Sequence, residues 1–367
     1  MSVCASETMN GTGEVCVWHS CRDRKCPEPS LAQCRGHQPP TTHMLLLLAL
    51  GASSALSTNG RLTRREGLAA ALSSTAFPGA ALAGGPAVAK KPYTQQPGLK
   101  LNTGVNFPTA SFGLQVYDDA TAEKLTLLAL EVGYRNFFSS VLARNQKGFA
   151  RAVKASGIPR EELFICGSVL SNNVQGYGAA KELSARGCAQ NLEAFAAGGI
   201  DYVDMIMLDY PGPDADSIRG QWAALEEMAA QKTTRSLAVS NFSPAQLDVV
   251  LADKKTVPTV NQLRYGVGFA GLYGGNAAGI VAENAKRGVI VQAWSPLGRA
   301  LKGRAKTACD EIGQKYGKTG AQVALKWIEA TGCTFTTQTK SRSHFEEDLN
   351  LFDFSLTKQE IATLAEI

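Results

Sequence analysis

The stretch YVDMIMLDYP, residues 202–211, reads as a buried strand that ends on a carboxylate. Its apolar residues run without interruption from Met205 to Leu208 and are followed by Asp209. An apolar run of this kind predicts a strand that is covered on both faces, as in a parallel sheet. Active sites of parallel α/β folds lie at the carboxyl ends of the strands, so Asp209 is a candidate functional residue. The alternative is a structural or helix-capping carboxylate.

Short apolar runs of the same kind recur along the rest of the chain and predict eight strands. They are FGLQV (112–116), YRNFF (134–138), LFICGSV (163–169), YVDMIMLD (202–209), SLAVS (236–240), TVNQLR (259–264), VIVQAWS (289–295) and CTFTTQT (333–339).

Amphipathic stretches separate these runs and predict helices. TAEKLTLLALEVG (121–133) follows Asp119, which is a suitable N-cap. Further stretches with apolar residues at i, i+3 and i+4, or with a terminal glycine, are SIRGQWAALEEMAAQK (217–232), SPAQLDVVLADKK (243–255), AAGIVAENAKRG (277–288) and GAQVALKWIEATG (320–332).

Eight strands that alternate with helices predict an α/β fold of the (β/α)8 TIM-barrel type, for which about 250 residues are typical. A doubly wound open sheet is the competing α/β architecture. It would carry G-x-G-x-x-G after its first strand, and the sequence has no such motif there.

The composition excludes a nucleic-acid-binding surface on the folded part. Residues 1–98 hold nine of the 37 Lys and Arg and five of the 32 Asp and Glu. Residues 99–367 therefore hold 28 basic and 27 acidic residues and are close to neutral. Five of the nine cysteines lie in the first 34 residues without paired C-x-x-C spacing, which does not favour a zinc site, and no other metal site is predicted. The other four are expected to behave as small core hydrophobes.

Residues 1–98 are predicted to be a disordered leader that carries targeting segments. The segment 44–57 has a short apolar run followed by small residues, as in a secretory signal, and is too short to span a bilayer. The segment 61–89 pairs Arg64 and Arg65 with an Ala-rich stretch. Together they resemble the staged import signals of algae with complex plastids, and the twin arginines resemble a thylakoid-lumen signal. The alternative is a leader with no routing role and a cytoplasmic protein.

Seven stretches, in order, resemble segments of the aldo-keto reductases, and the likeness runs from about residue 99 to residue 367. They are LNTGVNFPTASFG, LEVGYRNFFSSVLARNQKGFARAV, SLAVSNFSPAQL, TVNQL, VIVQAWSPLG, YGKTGAQVALKW and LFDFSLTKQEI. The resemblance implies a (β/α)8 barrel over 99–367 with a short N-terminal β-hairpin, and an NADP-dependent oxidoreductase that reduces carbonyls with NADPH.

The family's catalytic tetrad of Asp, Tyr, Lys and His is absent when the motifs are laid on this sequence without gaps. The four positions fall on Phe138, Ala143, Ser168 and Asp209. The composition agrees, because the one histidine after residue 43 is His344. Asp209 and Tyr210 are therefore the candidate catalytic residues, with a structural role as the alternative for each. Other protic candidates near the same strand ends are Tyr117, Ser139 and Ser140.

The resemblance implies a better preserved cofactor site. It assigns Ser240, Asn241, Gln262 and Trp294 to the nicotinamide. It assigns Ser295, Leu297 and Gly298 to the pyrophosphate loop, and Lys340 and Ser341 to the 2′-phosphate. Matching Lys340 and Ser341 to the family motif requires a shift of two residues in the alignment. Gln338 and Thr339 are the competing match, and His344 stands where the family usually has an arginine.

Three interpretations follow. The first is an aldo-keto-reductase-like oxidoreductase whose proton delivery is weak or rerouted. The second is a non-catalytic nucleotide-binding or scaffold pseudoenzyme on the same barrel. The third is a lyase- or isomerase-type reaction at Asp209 and Arg264, which could bind a polar anionic ligand or form a surface ion pair. The expected partners are a nucleotide cofactor and a small carbonyl or anionic ligand, with no nucleic acid and no transmembrane segment in the mature part.

Overall fold

A computed structural model of the chain describes residues 7–9, 15–17, 96–139, 141–252, 256–269 and 277–367. The chain divides into two compact units, Met1–Gly79 and Ala80–Ile367. In the first unit, the described residues form one antiparallel pair, β1 (Glu7–Met9) with β2 (Val15–Val17). The predicted targeting segments 44–57 and 61–89 lie outside the described residues.

The second unit is a closed barrel of eight parallel strands, which confirms the predicted TIM-barrel fold. A hairpin of β3 (Gly98–Lys100) and β4 (Asn106–Pro108) precedes it, as the family resemblance implied. The barrel strands are β5 (Ala110–Gly113), β6 (Asn136–Ser139), β7 (Phe164–Leu170), β8 (Met205–Asp209), β9 (Leu237–Ser240), β10 (Val260–Arg264), β11 (Ile290–Trp294) and β12 (Thr334–Thr337).

Helices cover the outside of the barrel over the described ranges. They are α1 (Asp119–Val132), α2 (Gln146–Ser156), α3 (Tyr177–Ala196), α4 (Ala215–Ala230), α5 (Pro244–Leu251), α6 (Ala277–Ala285), α7 (Gly303–Tyr316), α8 (Gly320–Ala330), α9 (Arg342–Leu349) and α10 (Lys358–Ala365).

Two local predictions were wrong. The first strand was predicted at 112–116 and lies at Ala110–Gly113, because the small and polar residues Ala110 and Ser111 pair with β12 inside the barrel while Val116 is 68% exposed at its mouth. The N-cap of α1 was predicted to be Asp119. It is Asp118, whose side chain accepts a hydrogen bond from the Thr121 amide over 2.8 Å.

The hairpin closes the amino-terminal end of the barrel and thereby fixes where a cavity can lie. Leu101 and Phe107 are buried in one apolar cluster with Phe164, Met205 and Val260, which are residues at the start of barrel strands. The rings of Phe107 and Phe164 lie 4.9 Å apart between centroids. Because apolar side chains fill the amino-terminal end of the barrel, space for a ligand remains at the carboxyl ends of the strands.

The four cysteines beyond residue 98 are buried and free, as expected of small core hydrophobes. They are Cys166, Cys188, Cys309 and Cys333. Burial raises the pKa of each thiol, so none of them is an activated nucleophile. No helix among the described residues is long and apolar enough to cross a membrane.

Candidate functional site

A cavity of about 730 Å³ opens at the carboxyl ends of the barrel strands and continues outward past β11 and β12. Its barrel end is lined by Phe138, Asp209, Ser240, Gln262 and Trp294. We call the opposite part the distal end. Its lining side chains come from the helices α7, α8 and α9 and the loops beside them: Lys306, Asp310, Thr319, His344, Glu347 and Asp348.

Asp209 is the ionisable group at the barrel end. It is the last residue of β8 and is 8% exposed. Burial raises the pKa of its carboxyl to about 6, although a hydrogen bond with the Ser240 side chain acts in the opposite direction. A carboxyl with such a pKa is partly protonated near neutral pH, so Asp209 can both donate and accept a proton.

Strand register brings the polar residues of the barrel end to one level. Asp209 is paired with Ser240 across β8 and β9, Ser240 with Gln262 across β9 and β10, and Gln262 with Gln292 across β10 and β11. The Gln262 Nε2 donates to Gln292 Oε1 over 2.8 Å, so the Gln262 side chain offers its carbonyl oxygen as an acceptor. Phe138 forms an apolar floor of the cavity and belongs to the same apolar cluster as Met207.

Trp294, at the end of β11, is held by its neighbours. Its Nε1 donates to Asn241 Oδ1 over 3.1 Å, and Asn241 Nδ2 donates to Ser240 Oγ over 2.9 Å. Arg264, the last residue of β10, places its guanidinium carbon 5.5 Å from the Trp294 ring centroid and 5.0 Å from that of Phe269. Cation–π contacts of this length orient the indole at the edge of the cavity.

Three residues that follow barrel strands have a left-handed backbone although none is glycine. Tyr210, Asn241 and Ser295 have φ values of 70°, 64° and 50°, and all three line the cavity. Such conformations cost free energy and tend to cluster at functional sites. In the loop that begins at Ser295, the Gly298 amide donates to the Ser295 carbonyl over 2.9 Å, and Leu297 and Gly298 also line the cavity.

The four residues that the resemblance assigns to the tetrad lie in different places. Phe138 is buried in the cavity floor, and Ala143 lies in a short 3-10 helix, Val141–Ala143. Ser168 is fully buried in β7, where its Oγ accepts a hydrogen bond from the Val141 amide over 3.3 Å. Of the four positions, Phe138 and Asp209 line the cavity.

The other protic candidates lie in different places. Tyr210 lines the cavity mouth and is 41% exposed. Tyr117 is buried, which raises the pKa of its phenol and makes it a weaker acid. Ser139 is fully buried, with its Oγ 3.4 Å from Asn145 Oδ1, and Ser140 lies outside the described residues.

The two alternative matches for a 2′-phosphate site lie in different places relative to the distal end of the cavity. Gln338 and Thr339 line the cavity, and Thr339 Oγ1 lies 3.1 Å from Nδ1 of His344. Lys340 is exposed, and its ammonium lies 5.9 Å from the Tyr117 ring centroid rather than in the cavity lining. The Ser341 hydroxyl bonds to that of Ser343 over 2.7 Å.

Sequence reasoning missed several residues of this site. Asp348 is buried at the distal end, where it accepts hydrogen bonds from Thr337 Oγ1 over 2.7 Å and from Tyr134 OH over 3.2 Å. Burial raises the pKa of its carboxyl to about 6. Lys306 and Asp310 were missed as well, because a charged pair at i, i+4 on a helix is typical of a face exposed to solvent.

Among the described residues no group of three or more side chains could hold a metal ion.

Comparison with known proteins gives one consistent result. The model of the aldo/keto reductase family matches residues 106–367. An aldo-keto reductase of Mycobacterium sp. (strain MCS) is 32% identical over 270 residues, which are 73% of this chain and 89% of that protein. The methylglyoxal reductase DkgA of Yersinia pestis is 28% identical over 275 residues, 75% of this chain and 94% of that protein.

Solved structures agree. The crystal structure of an aldo/keto reductase from Brucella melitensis has a TM-score of 0.66 and 25% identity, and the match covers 74% of this chain and 99% of that one. An aldo-keto reductase of Bombyx mori in complex with NADP has a TM-score of 0.62 and 20% identity over 74% of this chain and 93% of that one, which supports the fold.

Proposed function

The chain belongs to the aldo/keto reductase family of oxidoreductases, and on that basis we propose that it binds a nicotinamide dinucleotide and reduces carbonyl groups with a proton from Asp209. The observation that carries this proposal is the Asp209 carboxyl itself. It lines the cavity at the end of β8, is 8% exposed and has a pKa raised by burial to about 6.

The barrel end fits a nicotinamide ring and its carboxamide. Trp294 presents an oriented indole, against which a flat ring can stack for about 0.5–1.5 kcal/mol beyond burial. Gln262 offers a carbonyl oxygen to a carboxamide NH₂. Thr336 Oγ1 is buried in the same lining and has no hydrogen-bond partner among the described residues, which a bound ligand would supply.

The family resemblance implies NADPH, and the relative from Bombyx mori was solved in complex with NADP. The barrel end does not distinguish NADPH from NADH, because the 2′-phosphate lies on the adenosine half of the molecule. When bound, the reduced nicotinamide would supply a hydride to the carbonyl carbon.

Asp209 then supplies the second half of the reaction. Its protonated carboxyl donates a hydrogen bond to the carbonyl oxygen and transfers the proton as the hydride arrives, which gives an alcohol and leaves a carboxylate. The Ser240 side chain hydrogen-bonds that carboxylate. Asp209 regains a proton from water at the cavity mouth. Tyr210, at the same mouth, is the second candidate donor.

This route is weaker than that of relatives with the full tetrad. At the positions that the resemblance assigns to the tyrosine and the lysine, Ala143 has no proton to give and Ser168 carries no charge. Loss of a positioned general acid typically lowers a rate by about 10²–10⁴-fold. Reduction is therefore expected to be slow, or rerouted through Asp209.

The substrate is expected to be a small carbonyl compound with an apolar group. Three large hydrophobic side chains are exposed where they line the cavity: Val116 at 68%, Leu301 at 42% and Tyr210 at 41%. Exposed apolar surface at a cavity mouth is typical of a ligand-binding site. A relative named as a methylglyoxal reductase supports a carbonyl substrate.

A second candidate function is a nucleotide-binding pseudoenzyme. The apolar floor at Phe138 and the buried Ser168 favour it. By the resemblance, Ser168 stands in the place of a lysine whose charge would stabilise a developing oxyanion, and Phe138 in the place of the aspartate that would hold that lysine. The third interpretation, a polar anionic ligand held by Asp209 and Arg264, has less support. The Arg264 guanidinium lies over the rings of Phe269 and Trp294, and Arg264 is not in the cavity lining.

One experiment separates these functions. Indole fluorescence is followed while NADPH or NADH is added to the wild-type chain and to Trp294→Leu, and consumption of the reduced cofactor is then measured over a panel of carbonyl compounds. Quenching that Trp294→Leu lacks, together with consumption, supports the reductase. Quenching without consumption supports the pseudoenzyme, and binding of neither cofactor contradicts both.

A further inference from the structure

The distal end of the cavity carries more negative than positive charge. Among the described residues that line it, Asp310, Glu347 and Asp348 are carboxylates. Lys306 is the one lysine or arginine of the described lining, and its ammonium is paired with Asp310. Even with His344 protonated, the carboxylates outnumber the cations by one.

The carboxylates also occupy the place where a phosphate group would be most readily held. The amino-terminal end of a helix attracts anions, because its first amides are unpaired and the helix dipole is positive there. At the start of α8, the Asp310 carboxylate lies so close to Gly320 that a Cβ on that glycine would overlap its Oδ1. Glu347 Oε2 accepts a hydrogen bond from Oγ1 of Thr319, the N-cap of α8, over 3.2 Å. The protein therefore supplies its own anions to this helix end.

Basic residues near the distal end are engaged elsewhere. The Lys340 ammonium lies over the ring of Tyr117, at 5.9 Å from its centroid. Arg342 forms ion pairs with Glu131 and Glu346. Neither residue lines the cavity. A 2′-phosphate, which carries about −1.5 to −2 charges at pH 7, would meet Asp310 and Glu347 without an unpaired cation from the described lining.

We infer that the distal end selects a dinucleotide without a 2′-phosphate, so that this chain binds NADH in preference to NADPH. The inference rests on the proposed function, since it assumes that the nicotinamide lies at the barrel end. Glu347 is the specificity-determining residue. Its carboxylate can accept hydrogen bonds from the 2′- and 3′-hydroxyls of an unphosphorylated ribose, as an acidic side chain does in NAD-binding proteins of other folds.

The test uses probes that contain only the adenosine half, so that binding is measured without catalysis. Isothermal titration calorimetry of the full chain is performed with ADP-ribose and with 2′-phospho-ADP-ribose, and in parallel with NADH and NADPH. We expect Kd to be at least about 10-fold lower for the unphosphorylated member of each pair, because like charges at close range oppose binding. Added salt should reduce the difference in Kd within each pair, because it screens the repulsion between the 2′-phosphate and the carboxylates.

Two variants and two controls connect the preference to named residues. Asp310→Asn leaves the Lys306 ammonium without its carboxylate, and Glu347→Gln removes the second charge. Each should lower the Kd of 2′-phospho-ADP-ribose by about 10-fold. Glu346→Gln, next to Glu347 but paired with Arg342, and Lys340→Ala should leave both Kd values unchanged.

The outcomes are distinct. Equal or tighter binding of the phosphorylated probes, or loss of NADPH binding in Lys340→Ala, overturns the inference and leaves the proposed function standing. A preference for the unphosphorylated probes that neither Asp310→Asn nor Glu347→Gln changes overturns the role of the carboxylates. Binding of none of the four compounds overturns the proposed function, and the inference falls with it.

Discussion

The indole Nε1 of Trp294 donates a hydrogen bond to Oδ1 of Asn241 over 3.1 Å. This contact joins the ends of β11 and β9, which are separated in the barrel by β10. Asn241 holds it with a left-handed backbone, φ 64°, which is unfavourable for a residue other than glycine. Asn241 therefore positions Trp294 through a hydrogen bond that it makes from a strained backbone.

Replacement by glycine separates these two effects. Asn241→Gly relieves the backbone strain but removes the hydrogen bonds to Trp294 and Ser240, so we expect dinucleotide affinity to fall by about 10-fold. Lys232→Gly is the matched control. It has φ 60° just after α4, does not line the cavity, and should gain about 1 kcal/mol of stability with unchanged affinity. Cofactor titration and urea unfolding measure the two quantities. Unchanged affinity in Asn241→Gly would show that the side chain has no part in binding.

The raised pKa of Asp209 predicts a pH-dependent effect on stability. Since the native state holds a proton to about pH 6 and the unfolded state only to about 3.8, the native state binds more protons in that window. Stability therefore falls as pH rises from about 4 to 6, and the penalty then stays constant. Asp209→Asn removes the charge and should stabilise the protein at pH 7.5 by about 1–3 kcal/mol, with no gain at pH 4.

Urea unfolding at both pH values measures this effect, and Asp214→Asn provides a control of opposite sign. Asp214 caps α4 by accepting a hydrogen bond from the Ser217 amide over 2.8 Å, and this bond lowers the pKa of its carboxyl. Its contribution to stability is present above the unfolded pKa and lost as pH falls. An equal effect of Asp209→Asn at both pH values would argue against a buried, protonatable carboxyl.

The close contact between α3 and α4 depends on a glycine. A Cβ at Gly220 would overlap the backbone carbonyl oxygen of Tyr177, so we expect Gly220→Ala to destabilise the protein by about 1–3 kcal/mol. At Gly178, one residue beyond Tyr177, a Cβ would meet no atom within 4 Å. Gly178→Ala should therefore be stabilising by up to about 1 kcal/mol through helix propensity. Thermal unfolding measures the stability of both variants. Unchanged stability in Gly220→Ala would show that α3 and α4 can move apart without destabilising the protein.

The targeting role expected of residues 1–98 gives a prediction that is independent of the barrel. Residues 1–98 fused to a fluorescent protein should be imported into the plastid of an alga with complex plastids. Replacement of Arg64 and Arg65 by lysine should keep the fusion in the plastid but prevent its entry into the thylakoid lumen. Fluorescence that remains in the cytoplasm with the unaltered leader would contradict this assignment.

The barrel itself was predictable from sequence because buried parallel strands are continuous apolar runs, and seven of the eight runs largely contain the observed strand. The first strand was misplaced because it begins with Ala110 and Ser111, which are buried but are too small or too polar to extend the apolar run that marks a buried strand. The position of Asp209 followed from the end of such a run.

The distal end could not be predicted in the same way. Its residues come from α7, α8 and α9, where a charged side chain on a helix surface gives no sign of the cavity that it faces. Lys306 and Asp310 read as an ordinary surface pair, and the buried Asp348 depends on Tyr134, more than 200 positions earlier in the chain. Such tertiary contacts leave no periodic signal in the sequence.

The central claim, that Asp209 supplies the proton, is tested most directly by the pH dependence of kcat/KM for carbonyl reduction in the wild type and in Asp209→Asn. The wild-type rate should be constant below about pH 6 and fall about 10-fold per pH unit above it, because the protonated carboxyl is the active form. Asp209→Asn should lower the rate by about 10²–10⁴-fold and abolish that dependence. Equal rates with the same pH profile in the two proteins would contradict the claim.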